Sequence, residues 1–164
     1  VRQISGNYAQ LDDPAKEARR ALIVGQSFME LRNHTRAAQW FEVAEQAQPQ
    51  TALAADAAYR RLVCAQQTRS VNFFSLAQRY LNTYATAGQS TAGLPCNDLV
   101  RLMYADRMML ADVPEASRQF EAINFDNLPE SVRADAMYKK AWFSSLEVPC
   151  TPISEVSPSS LKIR

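Results

Sequence analysis

The chain has 164 residues, of which 47% are hydrophobic and 21% charged, and a formal net charge of +1. These values are typical of a globular protein with its own core, and they argue against the basic surface that nucleic-acid binding requires. No apolar run approaches the roughly 20 residues of a membrane-spanning helix, and no signal peptide is visible. Because the first residue is Val1 rather than methionine, we expect a processed form or a piece of a longer protein.

The first predicted element after an irregular lead-in at 1–12 is a helix from about Pro14 to Arg32. An aspartate can cap it, and proline suits its first position. The polar turn Arg32-Asn33-His34-Thr35 separates it from a second helix that ends before Pro49. These two helices are predicted to form a hairpin.

Gly25 lies inside the first helix, where glycine costs about 1 kcal/mol relative to alanine, so close approach of the second helix is the expected compensation. Small and large residues then alternate at helical spacing, at Ala37, Phe41 and Ala44, before Pro49. This spacing resembles the tetratricopeptide repeat, a helical hairpin of about 34 residues. Two positions depart from the family pattern, since Ala21 and Phe28 stand where that family has tryptophan and tyrosine. The alternative interpretation is a two-helix hairpin from another all-α fold.

Five more helices are predicted downstream from cap residues, prolines and apolar spacing. A cap followed by an acidic residue three positions on occurs at Asp112 and again at Asn127. In the second hairpin, Phe73 and Ala77 exchange the small and aromatic positions of the repeat. The helices are expected at Thr51–Gln67, Val71–Tyr84, Pro95–Ala111, Pro114–Ile123 and Pro129–Leu146, with a long connecting loop at 85–94.

The resemblance implies an all-α fold, a right-handed superhelix of about three tetratricopeptide-like hairpins plus a C-terminal capping helix. This repeat domain is predicted to occupy residues 13–147. A tail rich in proline and serine, residues 148–164, follows it as a linker or irregular segment. The end of the second hairpin is similar to repeats of bacterial envelope proteins of the outer-membrane-assembly lipoprotein and Tol-Pal-associated types.

Catalytic and metal-binding patterns are scarce. The single histidine, His34, falls in a predicted turn, and no nucleophile elbow, phosphate loop or metal-spaced histidine pair occurs. Cys64 is predicted to be a buried, inert thiol, whereas Cys96 and Cys150 follow prolines and could form a disulfide in an oxidising compartment. We therefore predict no enzymatic activity, no metal and no cofactor.

Binding is the predicted activity, because stacked hairpins present a concave face lined by the first helix of each pair, which commonly holds peptides or partner helices. The alternative role of these side chains is packing between hairpins. The repeat pattern does not resemble a carboxylate clamp, since Leu22, Gln26 and Glu30 stand where lysine and asparagine would be. The predicted inward-facing residues are Arg19, Leu22, Gln26, Met29, Tyr59, Gln66, Leu102, Asp106, Tyr138 and Trp142, and the wider pattern adds Asp56, Val63, Leu99, Met109, Asp135 and Ser145.

The predicted function is a non-enzymatic module that binds a protein or peptide, placed in the bacterial periplasm by its similarity to envelope repeats. Fourteen arginines against four lysines indicate a GC-rich bacterial source. The alternatives are a cytoplasmic adaptor or secretion chaperone, the helical scaffold of a larger enzyme, and a homodimer formed through the last helix.

Overall fold

The computed structural model describes residues 13–84 and 96–146, and these ranges contain helices and turns but no strand. The predicted all-α class is therefore confirmed, and the helix bounds differ from the predicted ones by at most three residues. The helices are α1 (Pro14–Glu30), α2 (His34–Ala47), α3 (Ala52–Gln67), α4 (Phe73–Thr83), α5 (Cys96–Met108), α6 (Val113–Glu121) and α7 (Glu130–Leu146), with a 3-10 turn at Phe125–Asn127.

Three predicted N-caps are present, because each side chain accepts a hydrogen bond from a backbone N–H of the first turn. Asp13 accepts from Ala15 at 3.1 Å, and Thr51 accepts from Ala54 at 3.2 Å. Asp112 accepts from Glu115 N–H at 3.0 Å. These bonds satisfy donors that the helix itself leaves unpaired.

The predicted cap at Asn127 is wrong. Its side-chain amide donates to Asp98 Oδ2 at 2.8 Å, and Asn124 N–H donates to Asp98 Oδ1 at 3.0 Å. The carbonyl of Pro129 accepts the first bonds of α7 instead. The Asn127 side chain therefore bonds to Asp98 on α5 and does not cap α7 as the local pattern predicted.

The first hairpin is as closely packed as Gly25 predicts. A Cβ atom added to Gly25 would lie 2.6 Å from Phe41 Cε1 and 2.7 Å from Phe41 Cδ1. Phe41 is fully buried, with the small residues Ala37 and Ala44 on either side of it along α2. The missing side chain on α1 thus makes the space that the phenyl ring fills.

The turns that follow α1 and α3 have the same geometry. Arg32 and Arg69 adopt positive φ angles of 56° and 51°. The N–H of the next residue donates to a carbonyl five residues back, from Asn33 to Phe28 and from Ser70 to Ala65, at 2.9 Å in each case. This is a Schellman motif in both helices, so the turns of the first two hairpins share one backbone conformation.

Each helix packs against the next, and the first helices of successive hairpins also contact one another, α1 with α3 and α3 with α5. The inner helices α3 and α5 are each buried on two faces. On α3, Ala57 and Cys64 belong to the cluster shared with α1 and α2, whereas Leu62 and Ala65 belong to the cluster shared with α4 and α5. The arrangement is that of a helical-repeat-like stack whose core consists of three clusters. Phe73, Ala77 and Tyr80 are all buried in its middle cluster.

A buried carboxylate joins three of the helices. Glu45 on α2 accepts hydrogen bonds from Arg61 on α3, from Arg79 on α4 and from the Tyr84 hydroxyl. Burial, the charge of Glu45 and the hydrogen bond to it raise the pKa of Tyr84 from its ordinary value of 10.0 to about 12. This network spans residues 45 to 84 and was not predicted.

None of the helices in the described ranges is long and apolar enough to cross a membrane. The predicted lead-in at 1–12, the loop at 85–94 and the tail at 148–164 lie outside the residues that the structure describes. So do the side chains of Cys96 and Cys150, on which the predicted disulfide depends.

Candidate partner-binding face

The predicted inward-facing residues divide into three groups. Arg19 is exposed and Gln26 is half-buried on α1, and neither lines the depressions described below. Leu22 and Leu102 are only 7% exposed and belong to core clusters, so they pack between helices and do not line an open face. Tyr59 and Met29 are half-buried against the same kind of cluster. The more C-terminal residues of the set lie at two surface depressions instead.

The first depression, which we call the polar depression, lies between α3 and α5 and has a volume of about 290 Å³. It contains two of the predicted residues, Gln66 and Asp106. Two arginines, Arg69 and Arg107, complete its lining. All four lining side chains end in polar or charged groups, with two cations and one carboxylate among them.

The second depression, which we call the aromatic depression, lies between α5 and α7 and has a volume of about 250 Å³. Tyr138 is 72% exposed and Trp142 is 42% exposed. The Trp142 ring packs edge to face on Phe143, which is buried, at a centroid distance of 5.0 Å. An aromatic side chain that is anchored on one side and open on the other suits contact with a partner. The lining residues are Met109, Asp135, Tyr138, Lys139 and Trp142.

Lys139 forms two ion pairs at the boundary of the two depressions. Lys139 Nζ is 2.9 Å from Asp106 Oδ1 and 2.7 Å from Asp135 Oδ2. Burial lowers the pKa of Lys139, but the hydrogen bonds to Asp135 and Asp106 outweigh it and the net shift is upward. Lys139 therefore remains charged and ties α7 to α5, and the two depressions adjoin one another.

The two arginines of the polar depression differ in how they are held. Arg107 donates from Nη2 to the Ser70 carbonyl at 2.9 Å, and its guanidinium lies 4.8 Å from the ring centre of Phe73 and 5.5 Å from that of Phe74. These contacts hold the Arg107 side chain against the wall of the polar depression. Arg69 is exposed and projects from the Schellman turn of α3.

A third depression of about 210 Å³ lies between α2, α3 and α4. His34 lines it together with hydroxyl and amide side chains such as Thr35, Gln39 and Asn72. His34 is half-buried as the first residue of α2 and does not lie in an open turn as predicted. The ion pair of Arg61 and Glu42, at 2.7 Å, also lines this depression.

Among the described residues, potential metal ligands are not clustered and the thiol of Cys64 is not reactive. Within residues 13–84 and 96–146, no group of three or more His, Cys, Asp or Glu side chains could hold a metal ion. Cys64 is fully buried, as predicted, and burial raises the pKa of its thiol to about 11. It is therefore a protonated core side chain at neutral pH, and a poor nucleophile.

No significant match to the chain is found among protein-family models, curated proteins or solved structures. The use of this face must follow from its own geometry.

Sequence reasoning missed three residues of the face, Arg69, Arg107 and Lys139. Arg107 and Lys139 directly follow predicted positions, Asp106 and Tyr138, so allowing one residue on either side of the predicted line would have found them. Arg69 had a weaker signal, since it lies in a turn three residues after Gln66. Nothing in the local sequence indicates that Lys139 pairs with Asp106, 33 residues away.

Proposed function

We propose that the chain is a tetratricopeptide-like module, without enzymatic activity, that binds a peptide segment or partner helix across α3, α5 and α7. The observation that carries this proposal is the aromatic depression. Tyr138 and Trp142 leave a large aromatic surface open beside Met109, on the face where first helices of a repeat array meet their ligands.

The depressions are of a size that admits single side chains of a peptide. At about 290 and 250 Å³, each lies near the lower end of the roughly 300–1,000 Å³ of sites that enclose small-molecule ligands. Since they adjoin at the ion pair of Lys139 and Asp106, a single peptide can place neighbouring side chains in both.

The family assignment rests on the first two hairpins. Their support comes from the contact between Gly25 and Phe41, and from the matching Schellman turns at Arg32 and Arg69. We further propose the periplasm as the setting, which a disulfide between Cys96 and Cys150 would favour. Three free thiols in protein isolated from its native cell would favour the cytoplasmic adaptor or secretion chaperone.

The test is binding of defined peptides. Random dodecapeptides displayed on phage would be selected on the full chain, and the enriched sequences synthesised with a fluorophore for anisotropy. Replacing both Tyr138 and Trp142 by alanine should weaken binding at least about tenfold, because exposed aromatic side chains dominate such interfaces.

The matched control is Met137→Ala, which removes an apolar side chain that is 55% exposed on the same helix but lines neither depression. It should change affinity by less than about twofold, as expected for a position outside the interface. Equal affinity of the double variant and the unaltered chain would refute the proposal. A concentration-dependent dimer, lost in the Trp142→Ala variant, would favour self-association through α7 instead.

A further inference from the structure

The charges around the two depressions do not cancel. The lining residues carry three cationic side chains, Arg69, Arg107 and Lys139, and two carboxylates, Asp106 and Asp135. Both carboxylates bond to Lys139. One positive charge is left over, and it belongs to the polar depression.

Neither arginine has a carboxylate partner within the described residues. Arg107 interacts with a backbone carbonyl and with two aromatic rings, which leaves its charge uncompensated. Arg69 lines the depression from the turn after α3, exposed to solvent and within no ion pair of the described ranges. A guanidinium in a concave site favours a carboxylate, which it can bind through two parallel hydrogen bonds.

From this arrangement, and resting on the function proposed above, we propose that the partner is a peptide with an acidic side chain at the polar depression and a nearby apolar or aromatic side chain at the aromatic depression. Arg69 is the group that meets the carboxylate directly. Arg107 adds its charge from the wall of the depression, and Gln66 supplies an amide for the peptide backbone.

The charge balance selects a carboxylate over a phosphate. A single carboxylate neutralises the remaining unit of positive charge, whereas a phosphorylated side chain carries about −1.5 to −2 at neutral pH and would exceed it. This site differs in position from a carboxylate clamp, because its arginines lie at the end of α3 and on α5 and do not occupy the positions of Leu22, Gln26 and Glu30.

The test uses the selected fluorescent peptides and the Arg69→Glu variant. Charge reversal should weaken binding of an acidic peptide by about fivefold or more and remove most of its salt dependence, since the attraction is partly exposed and therefore screened. A peptide with lysine in place of its acidic residue should lose affinity for the unaltered chain and regain it with Arg69→Glu. Such a reciprocal exchange identifies the pair.

Arg32→Glu is the matched control, because Arg32 has the same charge, the same Schellman turn and nearly the same φ but lines neither depression. It should leave peptide affinity within about twofold, as expected of an exposed charge away from the contact. Unchanged helicity of both variants, measured by circular dichroism, excludes misfolding as the cause of a loss.

Two results would overturn the inference. If the selected peptides need Tyr138 and Trp142 but bind Arg69→Glu equally well, the binding face stands and the acidic anchor is wrong. If phosphoserine in place of the acidic residue tightens binding to the unaltered chain, the partner is a phosphopeptide. Peptides that bind regardless of Tyr138, Trp142 and Arg69 would refute the proposed function itself.

Discussion

Gly25 fixes the distance between the first two helices. Its missing side chain admits the Phe41 ring, and a Cβ atom would lie well inside contact distance of Cε1. Because Phe41 is fully buried, the ring has little room to move.

Gly25→Ala should therefore lower the free energy of unfolding by about 1–2 kcal/mol, since the overpacking cost exceeds the gain in helix propensity. Urea unfolding followed by circular dichroism measures the change. In a Phe41→Leu background the same substitution should cost less, because the smaller side chain vacates the contact. A Gly25→Ala chain as stable as the original would contradict the tight packing.

Tyr84 gives the fold a dependence on alkaline pH. Its pKa is raised to about 12 by burial and by Glu45, so the folded chain holds the phenol proton at pH values where the unfolded chain has released it. The stabilisation is complete below pH 10 and is lost as the pH rises through 12.

Tyr84→Phe should make the decline of unfolding free energy between pH 10 and 12 shallower than in the original chain. At neutral pH the variant should lose about 1 kcal/mol, because the hydrogen bond to Glu45 is gone. Thermal unfolding at a series of pH values measures both effects. An unchanged slope in the variant would show that Tyr84 is not the titrating group.

At the scale of the element, the ends of α1 and α3 show an unusual choice of residue. Glycine normally occupies the left-handed position of a Schellman motif, yet Arg32 and Arg69 stand there. For an L-residue with a side chain, this conformation costs about 1 kcal/mol.

Arg32→Gly should raise the free energy of unfolding by about 0.5 kcal/mol, because relief of that strain exceeds the extra entropy of glycine in the unfolded chain. Arg32→Ala is the control and should give no gain, since alanine meets the same steric penalty. Chemical denaturation compares the three proteins. Equal gains from both substitutions would point to the removed charge and away from backbone strain.

Helix positions were largely predictable because the signals are local. Asp13, Thr51 and Asp112 cap the helices that they precede. The 3-10 turn was not predictable, nor was the hydrogen bond of Asn127. Its side-chain amide donates to Asp98, which lies 29 residues away in the sequence. Likewise, arginine in a left-handed turn gives no sequence signal, since the expected mark is glycine.

At the scale of the molecule, the stack of hairpins positions the candidate site. Repeat spacing selected Gln66, Asp106, Tyr138 and Trp142, and the structure places all four at the two depressions. It could not separate these residues from Leu22 and Leu102, which share the same pattern but are covered by neighbouring helices. Burial in a repeat array depends on which helix lies opposite, and a pattern within one helix does not contain that information.

The role of this face is tested most directly by nuclear magnetic resonance titration of the labelled chain with a selected peptide. We expect the largest shift changes at the Trp142 indole N–H and at the backbone amides of Gln66, Arg69, Asp106 and Tyr138, with little change along α2. Shifts concentrated at Thr35, Gln39 and Asn72 would place binding in the depression between α2, α3 and α4, and would contradict the proposed site.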